Sequence, residues 1–155
     1  MPDAQDQSAV ENAVRALEQY WAALDFKAIR ALWDDSVAPL YLAEEAMGPA
    51  CSWDELEKYW GATGKLAKRN RVSINNLRLH DVTRDVISAF YEMHWDIELE
   101  DGKFLGGDNR VCITFKRTAA GWRIGQYIEA PLAPLVYMRQ LYELNTSADF
   151  KTARQ

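Results

Sequence analysis

Glu44 and Glu45 close a short apolar run, Pro39-Leu40-Tyr41-Leu42-Ala43. A carboxylate at the mouth of an apolar pocket has its pKa raised toward neutrality, where it can act as acid or base. Strand alternation turns only one of the two inward. Tyr41 shares the parity of Glu45, so these two form a natural pair. A solvated strand end is the plain alternative. A second constellation is Glu92, His94 and Asp96, which alternate on one predicted strand and face one way. Three such groups could hold a metal, but only one is a histidine. The other histidine, His80, falls roughly 23 Å from the level of His94 if the chain turns near Thr83-Arg84, so no metal centre is expected. The more apolar set Tyr91, Met93 and Trp95 belongs in the core, which sends His94 to the outer face. His94 stays a site candidate because bulges in twisted sheets reverse parity.

Gly106-Gly107 is where such a bulge is expected. A tight Asp101-Gly102 turn without a bulge opposes Trp95 to Asp108 and Met93 to Arg110. One extra residue opposes Trp95 to Asn109 and Met93 to Val111, setting apolar against apolar. That version is preferred. It leaves Asn109 inward as a hydrogen-bond donor, with Asp108 and Arg110 outward. Gln126 is the odd polar member of the set Trp122, Ile124, Gln126 and Ile128 and is a candidate ligand contact. Arg78, mid-strand, is ambiguous in the same way. Lys65, Lys68, Arg69 and Arg71 form a basic cluster best read as a solvated helix end. No phosphate loop, dinucleotide fingerprint, nucleophile elbow or zinc spacing is found.

The elements that must position these residues are legible from periodicity. Ser8-x-x-Glu11 reads as a capping box opening a first helix, with Val10, Val14, Leu17, Trp21 and Leu24 as its apolar stripe. Residues 1–7 are expected to be frayed. Asp25 caps a short helix from Phe26 to Trp33, a strand follows from Pro39, and Ser52-x-x-Glu55 opens a third helix carrying Leu56 and Trp60 inward. From Arg71 the period becomes two, with strands over 72–80, 86–99, 111–117 and 122–129. Pro131 and Pro134 end the sheet, and a last helix over 135–144 presents Leu135, Met138, Leu141 and Tyr142. Helices first and a strand meander after them argue an α+β domain, helices gathered on one face of a mostly antiparallel sheet. One domain over 8–149 with a tail over 150–155 is expected.

Composition narrows the function classes. The 155 residues carry 18 Lys and Arg against 23 Asp and Glu, a net charge of −5. Such a chain lacks the basic face that a nucleic-acid backbone requires. No apolar run approaches a membrane span, and the polar, acidic N-terminus is not a signal peptide. A cytoplasmic location is the expectation, with Cys51 and Cys112 as small buried apolar residues. The excess is aromatic: 6 Trp, 7 Tyr and 5 Phe offer more ring surface than one small core needs, which hints at a pocket.

The segments Gln19-Tyr20-Trp21-Ala22-Ala23-Leu24-Asp25, Ala31-Leu32-Trp33-Asp34-Asp35, Ser52 to Trp60, and Arg110 to Arg117 with Gly121-Trp122-Arg123-Ile124 carry a resemblance to the nuclear transport factor 2-like superfamily. This is the fold of ketosteroid isomerase, scytalone dehydratase and the SnoaL-like polyketide cyclases, and the resemblance covers roughly residues 8–131. It implies a cone-shaped curved sheet with the N-terminal helices on its concave face, plus a C-terminal helix. It places Tyr20 where ketosteroid isomerases carry a phenolic donor to the enolate. It places Tyr41, Glu44 or Glu45 where they carry the general base. Their third member, a protonated Asp, falls near Cys112 and has no counterpart, so a steroid substrate is not implied.

The expected function is a cofactor-independent acid–base enzyme of lyase, dehydratase, isomerase or cyclase type. Its substrate is a small apolar molecule, aromatic or polycyclic. Glu44 or Glu45 moves the proton, and Tyr20 with Tyr41 or Asn109 steadies the developing oxyanion. Trp21, Trp60, Tyr91 and Trp95 form the walls. The alternative is a non-catalytic ligand-binding or assembly module of the same fold. Phe90 and Cys112 on the outer face suggest a homodimer or higher homo-oligomer.

Overall fold

The structure, a computed structural model, describes residues 1–132, 135–145 and 147, with only the backbone of 135–137. The tail expected over 150–155, its boundary at 149, Pro134 and the Leu135 side chain lie outside what is described.

The chain runs α1 (Ala4–Ala23), α2 (Phe26–Arg30), β1 (Leu40–Leu42), α3 (Trp53–Leu66), β2 (Ala67–Thr83), β3 (Val86–Leu99), β4 (Phe104–Thr118), β5 (Gly121–Pro131) and α4 (Leu135–Asn145). The strands form one sheet in the order β1-β5-β4-β3-β2. It is mixed: β1 lies parallel to β5 and the other pairs are antiparallel. The α+β class and the helices-then-meander order hold. The cone does not. β1 and β2 remain separate edges of an open layer, and the sheet is not strongly curled. The central ladder explains part of this. It runs from Val86↔Lys116 to Glu98↔Phe104 without a register shift, so the Gly106-Gly107 bulge that would bend it is absent.

The β3–β4 register differs from both sequence-based versions. Trp95 opposes Gly107 and Met93 opposes Asn109. The turn is a three-residue loop, Glu100-Asp101-Gly102, closed by Leu99 N–H to the Lys103 carbonyl at 2.8 Å. Gly102 takes the left-handed conformation there, φ 82°, as such loops require. The longer turn moves the register by one residue and still leaves Asn109 inward. Cys112 stands between the fully buried Val111 and Ile113, so alternation sends it out. Both cysteines are exposed rather than buried.

Register shifts fall instead in the β2–β3 pairing and in β5. Phe115 opposes Ile124, but Thr114 opposes Gln126, which leaves Gly125 as the extra residue. Glycine inside a strand commonly marks such a site. The bulge reverses the parity beyond it. Trp122 and Ile124 are buried before it, and Tyr127 and Glu129 after it, while Gln126 and Ile128 are turned from the core.

Val10, Val14, Leu17 and Trp21 of α1 are buried with Ile87, Ala89 and Tyr91 of β3 and Val111, Ile113 and Phe115 of β4. Burying each such side chain contributes roughly 1.5–3 kcal/mol, so this seam is the main source of stability. On α4, Leu141 and Tyr142 are exposed, against the apolar side expected there. Of the basic cluster, Lys65 lies in the last turn of α3 as expected, while Lys68, Arg69 and Arg71 lie on β2, with Lys68 and Arg69 paired to Glu98 and Arg71 to Asp96.

α1 begins at Ala4, inside the segment expected to be frayed. Asp3, not Ser8, caps α1, and Asp6 completes the capping box. Asp6 also accepts from Trp122 Nε1 at 3.1 Å and pairs with Arg117, tying the first turn to the sheet. These partners hold its carboxyl well below the usual range, with Arg117 the largest cause. A depressed carboxylate contributes stability above its ordinary value of 3.8, which is lost as pH falls toward its folded value. Asp6→Asn is therefore expected to melt below wild type at pH 7, with the two melting curves converging as pH falls below about 3. A constant difference at all pH values would mean that packing, not charge, holds the turn.

Candidate active site

β1 sets the site. Its three residues pair in parallel with β5, Leu40↔Gln126, Tyr41↔Tyr127 and Leu42↔Ile128. The chain then turns tightly, with Ala46 N–H donating to the Ala43 carbonyl at 3.1 Å, so that Glu44 and Glu45 occupy the middle of the turn. Two hydrogen bonds between Tyr41 and Ala50, of 3.0 and 2.8 Å, close the loop behind it. Strand alternation therefore does not apply to this pair, and both glutamates reach the same cavity.

That cavity has a volume of about 510 Å³. The end nearest the β3–β4 turn is apolar, lined by Ile97, Leu99 and Leu105. The other end holds three carboxylates: Glu44, Glu45 and Glu129. Glu129 is 9% exposed and comes from β5, brought inward by the Gly125 bulge. Its Oε2 accepts from Asn109 Nδ2 at 3.1 Å and from the Glu44 backbone N–H at 3.4 Å. Asn109 Oδ1 in turn accepts from Trp95 Nε1 at 3.4 Å, and the same indole N–H donates to Glu44 Oε1 at 3.0 Å. Tyr59 donates to Glu45 Oε1 at 2.8 Å.

Burial pushes the Glu129 carboxyl up to about 7, with the nearby negative charges of Glu45 and Glu44 adding to it and the Tyr127 hydroxyl opposing. Burial also raises Glu44, though less freely, because the Trp95 N–H favours its ionised form. Tyr41 is raised well above the ordinary phenol by burial first and by Glu129 second. A carboxyl that is half protonated near neutral pH, at the wall of an apolar cavity, can both take and return a proton.

Gly107 makes room for the indole. A Cβ there would sit 2.8 Å from Trp95 Cζ2, so the ring lies directly over the glycine backbone. Gly107→Ala is expected to displace Trp95 from Glu44 and to cost about 1–3 kcal/mol of overpacking. Urea denaturation and the near-UV circular dichroism of the indole check this. Unchanged values of both would mean that the ring has room to spare.

Of the residues singled out from sequence, Tyr41, Glu44, Glu45, Asn109, Trp21 and Trp95 line the cavity. The others do not. Tyr20 packs beside the core, and Trp60 is buried under Phe26 and Tyr41. Tyr91 is wholly buried, Arg78 is exposed, and Gln126 lies past the bulge on the wrong parity. His94 is on the outer face, between Asp108 at 2.8 Å and Asp96 at 3.3 Å. These acids raise its pKa, Asp108 most. Among the described residues no three His, Cys, Asp or Glu side chains are placed to hold a metal ion, and no helix is long and apolar enough to cross a membrane. Glu129 and Tyr59 escaped the sequence reading. The signal for Glu129 was a glycine in the middle of its strand, four residues before it.

Comparison with known proteins agrees with this architecture. A family model, the SnoaL-like domain, matches residues 10–134. No curated protein matches the sequence. Among solved structures, a nuclear transport factor 2-like superfamily protein from Salmonella enterica serovar Typhimurium superposes with a TM-score of 0.77 at 16% identity, over 84% of this chain and 94% of that one. A candidate aromatic ring hydroxylase from Novosphingobium aromaticivorans gives 0.78 at 15%, over 86% and 94%. The hexachlorocyclohexane dehydrochlorinase LinA-type3 from Novosphingobium barchaimii gives 0.67 at 13%, over 84% and 92%. At these identities the likeness establishes the fold.

Proposed function

This chain belongs to the SnoaL-like domain family of the nuclear transport factor 2-like superfamily, and from that membership we propose that its cavity is the active site of an acid–base enzyme acting on a small apolar, aromatic molecule. The observation that carries the reading is Glu129, a buried carboxyl with a pKa near 7 at the wall of an open cavity. A non-catalytic module has no use for that arrangement, which costs stability above neutral pH. The cavity's apolar end would hold the ring skeleton, and the names borne by the structural relatives above lean the same way.

In the proposed reaction Glu129 removes a proton from carbon and returns it elsewhere, or delivers it to a leaving hydroxyl. Asn109 and the Glu44 backbone N–H hold its carboxyl in place. The Tyr41 hydroxyl is directed at that of Tyr59, and Tyr59 donates to Glu45, so the two phenols form one hydrogen-bonded chain that ends on that carboxylate. On a carbonyl compound this is enolate chemistry, of isomerase or cyclase type. On a phenol with a benzylic hydroxyl it is elimination to a quinone methide, of lyase type: one carboxylate takes the phenol O–H proton, the benzylic C–O bond breaks, and protonated Glu129 gives its proton to the departing hydroxyl, which leaves as water.

The test is a panel of phenolic and polycyclic aromatic compounds, followed by tryptophan fluorescence for binding and by product analysis for turnover. Saturable quenching with turnover by one class supports the reading, and Trp95 in the cavity wall should report it. Binding without turnover across the panel would leave a ligand-binding module. No binding at all would remove the cavity from consideration as a site.

A further inference from the structure

We propose that the molecule this cavity takes carries a protonated nitrogen on its apolar skeleton, seated between Glu44 and Glu45 and against the rings of Tyr59 and Trp95. The inference rests on the cavity being the active site and names the class of substrate. Its polar end holds three carboxylates, and among the described residues lining the cavity there is no lysine, arginine or histidine. The basic side chains closest in sequence to the wall residue Asn70 are engaged elsewhere. Lys68 and Arg69 pair with Glu98, and Arg71 with Asp96.

The protein's own donors to the three carboxylates are all neutral: the Trp95 indole N–H, the Asn109 amide, the Tyr59 hydroxyl and a backbone N–H. Hydrogen bonds of this kind satisfy lone pairs but leave the charge uncompensated, and at the half-buried Glu44 a charge without a counter-ion is costly. A ligand cation removes that cost. An anionic ligand meets the opposite: a site of low dielectric with carboxylates already in it. A neutral ring gains the apolar contacts and nothing from the charge.

The experiment is isothermal titration calorimetry at pH 7.5 with three compounds on one skeleton: 1-naphthylmethylamine, 1-naphthalenemethanol and 1-naphthoic acid. The expected order is the amine at least tenfold tighter than the alcohol, and no binding of the acid. Glu45→Gln keeps an acceptor for Tyr59 at an exposed position and removes the charge, so it should weaken the amine about fivefold more than it weakens the alcohol. An alcohol that binds as well as the amine overturns the proposal while keeping the cavity as an aromatic site. Acid binding tighter than the amine also overturns it. So does an amine preference that survives both Glu45→Gln and Glu44→Gln, since it would then belong to the acidic surface. Failure of all three compounds to bind sinks both this proposal and the active-site reading.

Discussion

Glu129→Gln is expected to lower turnover by about 10²–10⁴-fold, the range general acid–base groups supply, and at the same time to make the protein more stable at pH 8. The two effects share one cause. The ordinary glutamate value of 4.5 is raised to about 7 by burial. Below pH 4.5 the carboxyl is protonated in both folded and unfolded chains, and burial carries no charge penalty. Between 4.5 and 7 the unfolded chain releases its proton and the folded one keeps it, so stability falls as pH rises. Above 7 the loss is complete, on the order of 3 kcal/mol. Glutamine escapes it. Chemical denaturation at pH 4 and pH 8 should therefore show little difference between variant and wild type at the lower pH and a clear gain for the variant at the higher. A variant that gains stability but keeps its turnover would move the proton-transfer role to Glu44 or Glu45.

Tyr127→Ala is expected to be the most damaging single truncation near the site. The ring is 1% exposed and stacks on Tyr41 with centroids 5.0 Å apart and planes 12° from parallel. Emptying such a space costs about 3–5 kcal/mol, a large part of the roughly 5–15 kcal/mol that holds a domain together. The Tyr41 wall of the cavity would lose its backing. Tyr127→Phe separates packing from chemistry. It keeps the stack and removes the hydroxyl that favours the ionised form of Glu129. Its denaturation midpoint should stay close to wild type while the acidic limb of the pH–rate profile moves upward. An unmoved profile would mean that the phenol does not reach the carboxyl.

The parts of the fold that local pattern decides were legible in the chain. The stripe Val10, Val14, Leu17 and Trp21 is buried as its spacing requires, and β3 begins and ends where alternation put it. Ser52 and Asp25 cap their helices. What tertiary contact decides was not legible. The first turn of α1 is held by Arg117 and Trp122, more than a hundred residues away. Glu44 and Glu45 both reach the cavity because one backbone hydrogen bond ends β1 before alternation can separate them. Glu129 was hidden by a single residue, since counting by twos through Gly125 turns every later side chain to the wrong face. Tyr20, Tyr91 and Gln126 were credible on residue type, and the structure places them away from the cavity lining. The curl of the sheet was carried over from the resemblance rather than read from residues, and it is the feature the chain does not share.

The phenols behind Glu129 bear on where a proton can go. Tyr127 lies beside the carboxyl, and its hydroxyl faces that of Tyr91 at 3.5 Å. Tyr91 is wholly enclosed, and burial keeps both phenols protonated far above neutral pH. The path inward from Glu129 is thus a blind alley, closed to exchange with water. Traffic with solvent runs through the mouth that a bound molecule fills. In the proposed reaction a proton that Glu129 takes from that molecule therefore reaches solvent by way of the cavity mouth and not by way of the phenols.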